Sequence, residues 1–308
     1  MSSRQAGPPD GGPGRPGTLK RFGRFLDRNA AWIFPLPALL ALVVLIVLPV
    51  LANFYISLND WFIGRDPKFI GLENFSEALS DRRFWNGVKN TLYFTFMAVP
   101  LQMLLGLGIA VLFNREMPGK GIIRTVILMP MVATPVAIAL IWALMFNPSL
   151  GVLNYFLETI GLDRSLWVAS SKLALPSLVM VDVWQWTPMV TLILLAALQS
   201  VPQEQVEAAR IDGAGPLQTF WSVVLPAIRN GFVVALILRA IDALKTFDII
   251  YVITAGGPGT ASETLNVFAY KAGFEFFRAG YAATLLIFLV FLVLGIAVLL
   301  NLTRRRQA

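Results

Sequence analysis

Neither cysteine nor histidine occurs among the 308 residues, and charged residues make up only 14% of the chain. Without cysteine there is no disulfide framework, no thiolate metal site and no cysteine nucleophile. Without histidine the commonest general base and metal ligand is gone. No GxxxxGK[ST] phosphate loop is present, so any ATP the protein uses must be bound by another chain. Triads, zinc centres and haem ligation are set aside, and with no carboxylate pair placed for catalysis a membrane enzyme is a poor reading. What is abundant is apolar: 56% of residues are hydrophobic and the mean hydropathy is +0.69. A soluble domain carries close to twice this charged fraction. Such a surface needs lipid as its solvent. The net charge of +7 does not require nucleic acid, because the basic residues lie mostly beside apolar runs, where membrane topology explains them.

Residues 1–30 are rich in Gly, Pro and basic residues and read as a disordered tail. The run that follows, from Ala31 to about Ser57, is too long for a signal-peptide core and lacks a small-x-small cleavage site, so it reads as an uncleaved first span. Spans need about 20 apolar residues. Six are expected, at about 31–57, 88–113, 122–146, 174–199, 227–253 and 280–302. The fold class is therefore all-α integral membrane, with a transmembrane domain over 31–308. Segments 58–87, 147–173 and 254–279 are polar loops with turn residues and room for short amphipathic helices on one side, and 114–121 and 200–226 separate spans on the other. With both termini on the side of 114–121 and 200–226, that side holds fourteen Lys and Arg against nine opposite. The bias makes it the cytosolic side.

The 200–226 loop is unusual in a chain this apolar. Ser200-Val201-Pro202-Gln203 reads as a helix start, with a serine cap and a capping-box glutamine. Glu204 and Glu207 suit the positive end of that helix, and Gly213 suits a left-handed cap at its other end. After Gly215-Pro216, the residues Leu217, Phe220, Trp221, Val224 and Leu225 fall on one apolar face, as for a helix lying on the membrane surface. The first helix is left projecting, with a small Ala208-Ala209 face open to a partner.

Glu207-Ala208-Ala209, three residues, Gly213, nine residues, Val223, one residue and Leu225-Pro226 together resemble the EAA signature of binding-protein-dependent ABC importer permeases, EAA-x3-G-x9-I-x-LP, with valine for isoleucine. Shorter pieces are similar to the carbohydrate permeases of that family: Phe69 to Phe75, Asn90-Thr91, Trp142 to Pro148, and Asp248 to Tyr251 followed by Gly256-Gly257-Pro258. Among these the chain is most like the maltose-type, first-permease subgroup. The resemblance implies the type I importer fold, in which this loop is a cytosolic coupling helix docking on an ATPase. Glu207, Ala208, Ala209, Asp212 and Gly213 are then the coupling residues. It also implies a second, different permease, two cytosolic ATPase subunits carrying ATP-Mg, and an extracytoplasmic solute-binding protein. This chain itself is implied to hold no cofactor.

Polar residues inside spans are costly in lipid and are therefore candidates for function. Arg239, Asp242, Lys245 and Asp248 alternate in sign at every third residue of the fifth span, and neighbours at i, i+3 can pair. Each step turns about 300°, so a single row facing one pore requires a break in the helix. Structural pairing suits Arg239 and Asp242, whereas Lys245 and Asp248 suit a hydrated cavity. In the fourth span Asp182, Trp184 and Gln185, with Trp186, either contact a sugar or belong to an interfacial aromatic belt. The loop Gly256-Gly257-Pro258-Gly259 is expected to turn tightly, either as a plain connector or reaching toward the binding protein. The reading reached is the permease subunit of an ATP-driven importer for a sugar, oligosaccharide or polyol derivative in a bacterial or archaeal plasma membrane. The rival is a self-contained secondary transporter or channel, which would leave the helix pair of 200–226 unexplained.

Overall fold

A computed structural model describes residues 34–305, with side chains to residue 302; the tail expected over 1–30 lies outside it. Among the described residues, four helices are long and apolar enough to cross a membrane: α1 (Leu36–Ser57), α3 (Arg82–Phe113), α7 (Ala174–Gln199) and α13 (Ala279–Arg305). Two bent pairs bring the number to six where each pair counts as one span. One is α4 (Lys120–Val132) with α5 (Pro135–Met145), bent by 97°; the other is α9 (Pro216–Ala227) with α10 and α11 (Arg229–Thr254), bent by 67°. Short helices α2 (Glu73–Ser80), α6 (Val152–Thr159), α8 (Gln203–Ile211) and α12 (Leu265–Tyr270) occupy the connections. A two-stranded antiparallel ladder, β1 (Asn59–Asp60) with β2 (Lys68–Phe69), follows the first span. The chain divides within α1 into two compact units, one ending at Asn53 and the other beginning at Phe54.

The breaks have local causes. Thr134 precedes Pro135 and is held extended, at φ −65° and ψ 139°, which stops α4 and restarts the chain as α5. The expected third span is thus two helices. The second span is longer than expected, at 32 residues. Asp81 caps it by accepting from the Arg83 amide at 2.7 Å, so its polar first turns, read as loop from their charge, are helical. Pro100 and Pro188 sit inside helices, as bilayer helices tolerate when neighbours support the backbone.

α3 and α7 are the packed centre. Gly106 lets them approach closely, since a Cβ there would lie 2.7 Å from Val190 Cγ1. Two buried apolar clusters flank a polar layer. One joins Phe94, Ile138, Trp142, Phe146 and Leu178 to Ile249 and Ile250 of α11 (Asp248–Thr254). The other joins Met103, Phe113, Leu194 and Leu198 to Val201 and Ile228, beside the 200–226 loop. At the end opposite that loop, Gly256 turns at φ 84° and Ser262 donates to the Gly257 carbonyl at 2.6 Å, closing the expected tight turn. Nearby, buried Glu263 accepts from Arg83 at 2.6 Å and lies 3.1 Å from Lys271 Nζ.

Candidate functional site

The 200–226 loop begins differently from its sequence reading. Pro202, not Ser200, occupies the N-cap of α8, and no side chain caps it. Ser200 instead donates its hydroxyl to the Ala197 carbonyl at 2.8 Å, closing α7. A serine one residue past a helix end is drawn to the orphan carbonyls behind it. Its far end is as expected: Gly213 stands at φ +85°, its amide reaches the Arg210 carbonyl at 3.0 Å, and the Ala214 amide reaches the Ala209 carbonyl at 2.9 Å. Those two bonds are the Schellman pattern, and the left-handed backbone at its hinge suits glycine.

α8 has two dissimilar faces. Val206 packs on the cluster containing Val201 and Ile228. With Gln203 and Arg210 it lines a cavity of about 780 Å³ against the end of α3. On the other face Glu204, Glu207 and Ala208 are exposed, as are Asp212 and Gly213 beyond the helix. Ala209 is half-buried. Ile211 is 86% exposed, an apolar side chain presented outward that the sequence reading passed over. Its signal was present: Glu204, Glu207, Ala208 and Ile211 recur at the spacing of one helical face. In α9 a π turn over Phe220–Val224 splits the expected apolar stripe. Leu217, Phe220 and Val224 still line one cavity, Val224 and Leu225 pack inward, and Leu217 and Trp221 remain 72% and 60% exposed. A π turn holds more residues than an α turn and so rotates the stripe.

Inside the spans the polar residues separate into two places. Asp182 Oδ2 accepts from Arg239 Nη2 at 2.6 Å and from Gln102 Nε2 at 2.8 Å, and Gln102 Oε1 accepts from Arg239 Nε at 2.7 Å. All three are buried, tying α3, α7 and α10 (Arg229–Leu244) together, and the Arg239 guanidinium lies 5.7 Å from the Trp186 ring centroid. Asp182 Oδ1 and both amide atoms of buried Gln185 have no protein partner. Gln102 was missed in the sequence, where a lone amide in the apolar run of the second span was the available sign. Trp184 points elsewhere: it is 44% exposed, meets Trp142 edge-on at 5.6 Å and lines an apolar groove of about 630 Å³ with Met97, Leu101 and Thr187. Lys245 and Asp248 are exposed at the break between α10 and α11. Lys245 Nζ lies 3.1 Å from Asp242 Oδ1, an i, i+3 pair.

Residues 78–307 match the family described as binding-protein-dependent transport system inner membrane component. The chain belongs to this family. The permease is 40% identical over 250 residues to the trehalose/maltose transport system permease protein MalF of Thermococcus litoralis, covering 80% of this chain and 84% of that one. It is 35% identical over 296 residues to the sulfoquinovosyl glycerol transport system permease protein SmoG of Agrobacterium fabrum, covering 94% and 96%. Its fold matches a bacterial alginate ABC transporter solved with an alginate pentasaccharide-bound periplasmic protein, at a TM-score of 0.81 and 22% identity over 93% of this chain and 98% of that one. The permease is thus a multi-pass inner-membrane importer subunit and not an enzyme, ATP hydrolysis lying in a separate subunit. Membership decides against the self-contained secondary transporter.

Proposed function

We propose that the permease moves a sugar, oligosaccharide or related polyol across the membrane, received from an extracytoplasmic binding protein. It pairs with a second, different permease above two cytosolic ATPase subunits that hold ATP-Mg; the permease itself binds no cofactor. Both termini and the 200–226 loop face the cytosol, in keeping with the Lys and Arg bias. The observation that carries the coupling role is the outer face of α8, where Glu207, Ala208 and 86%-exposed Ile211 stand clear of the permease. ATP binding closes the ATPases, α8 transmits that motion, and the spans switch from inward- to outward-facing access. The carbohydrate class is supported by the two named relatives, both sugar or sugar-derivative permeases. Along the path, Lys245 and Asp248 at the break in the fifth span and Trp184 on the apolar groove are reachable from outside the chain. Asp182 and Gln185 would reach solute only after their buried layer opens.

The test uses the four-component transporter in liposomes with a panel of mono- and disaccharides, trehalose first. Glu207→Lys and Gly213→Pro are expected to abolish solute-stimulated ATPase activity while the chain still inserts. Normal transport by either variant removes the coupling role, and ATP-driven import of none of the sugars removes the carbohydrate class.

A further inference from the structure

At the end of the permease opposite the coupling loop, two interrupted helices bring four aromatic rings into one patch. α10 stops at Leu244 and the chain resumes as α11 at Asp248, with Phe247 at the junction. α12 passes at Lys271 into a π turn that runs to Glu275. Phe247 and Tyr251 stack with centroids 5.1 Å apart and an interplanar angle of 13°. Tyr270 meets Phe247 at 5.1 Å and Tyr251 at 4.7 Å, and Phe274 extends the row at 5.0 Å from Tyr270. Phe247/Tyr251 and Asn266/Tyr270/Phe274 each recur at four-residue spacing, one helical face from each side.

Polar groups edge this patch. The Asn266 side chain is fixed by donating to the Lys245 carbonyl at 2.8 Å. Tyr251 Oη lies 3.5 Å from Glu275 Oε1, and exposed Asp248 stands one turn before Tyr251. Phe274 is 65% exposed, so the row ends in an open ring face. A lipid-facing aliphatic surface needs no carboxylates, and an aromatic belt needs no fixed amide. Rings flanked by carboxylates and an amide match a ligand with an apolar C–H face and a rim of hydroxyls. π turns are frequent at functional sites, and the one here carries Phe274 and Glu275.

We propose that this patch is a receiving platform for carbohydrate. Phe274 and Tyr270 stack on a sugar ring as it leaves the binding protein, and Glu275 and Asp248 accept from its hydroxyls before it moves inward past Lys245. This rests on the carbohydrate reading above and adds residues outside the spans to it.

The experiment uses the assembled transporter in liposomes, with trehalose uptake measured against binding-protein-delivered sugar and labelling by a diazirine-bearing trehalose mapped by mass spectrometry. Phe274→Ala and Tyr270→Ala are expected to raise the sugar concentration for half-maximal uptake several-fold, with the ATPase response to empty binding protein unchanged. Phe274→Trp and Tyr270→Phe are expected to restore it, and label is expected within 245–275. Because Phe274 is exposed, its truncation leaves the fold intact, which co-purification of the second permease checks. Unchanged uptake in both alanine variants, label confined to other segments, or loss of the second permease on Phe274→Ala overturns the platform. A wild-type transporter that imports none of the sugars takes the carbohydrate reading down first, whereas sugar import with silent alanine variants removes the platform alone.

Discussion

At the scale of single residues, the Asp182–Arg239–Gln102 layer is where membrane physics is strictest. A buried charge without its partner is expensive, and breaking such a pair costs about 3–5 kcal/mol. The two sides are not equivalent. A carboxylate stripped of its guanidinium can shed its charge by taking up a proton, whereas a guanidinium has no such escape. Asp182→Leu is therefore expected to lower stability by about 3–5 kcal/mol, and Arg239→Met by less. The double variant should recover most of the loss, because an apolar pair leaves no charge behind. Thermal unfolding of the purified complex checks the order; equal stability of Asp182→Leu and wild type would remove the pair from the ledger. Sequence alone showed that Arg239 and Asp182 were costly where they stood. It did not show that they met, because the contact joins spans 57 residues apart through Gln102.

At the scale of elements, α8 works by having two faces with opposite duties. Val206 turns toward the permease and Ile211 away from it, so one substitution in each direction separates folding from docking. Ile211→Asp is expected to leave stability unchanged and to lose ATPase co-purification. Val206→Asp buries a charge against Val201 and Ile228, and is expected to loosen the loop before it affects any partner. Gly213→Ala forces a Cβ into a left-handed backbone at a cost of about 1–2 kcal/mol. Its expected signature is faster hydrogen exchange at the Ala214 amide, whose bond to Ala209 closes the motif. The glycines and the motif spacing made this hairpin legible, because left-handed caps have few residue solutions. The serine cap and the π turn in α9 escaped the pattern for one reason. Periodicity assumes a regular helix, and neither a side chain reaching back to α7 nor a π turn leaves a mark in the pattern.

At the scale of the whole molecule, hydropathy located all six apolar segments, but it did not reveal that the third is two helices. The bend at Ala133-Thr134 raises a question of topology. Its legs, 13 and 11 residues long, rise about 20 and 17 Å. Bent by 97°, they reach about 24 Å end to end, short of the ~30 Å hydrocarbon core. A re-entrant loop would have that shape. Packing decides otherwise: Ile127 of α4 sits against the cluster beside the 200–226 loop, whereas Trp142 and Phe146 of α5 join Ile249 and Ile250 at the opposite end. The pair therefore runs from one end of the permease to the other. Because the chain has no cysteine, single introduced cysteines report sidedness against a silent background. Exposed Glu116, Asp163 and Glu207 mark three successive loops. Cysteines at Glu116 and Glu207 are expected to react with a membrane-impermeant maleimide only after cells are opened, and one at Asp163 in intact cells. A re-entrant α4–α5 would place Asp163 with Glu116 and send Glu207 to the other face, away from any cytosolic ATPase.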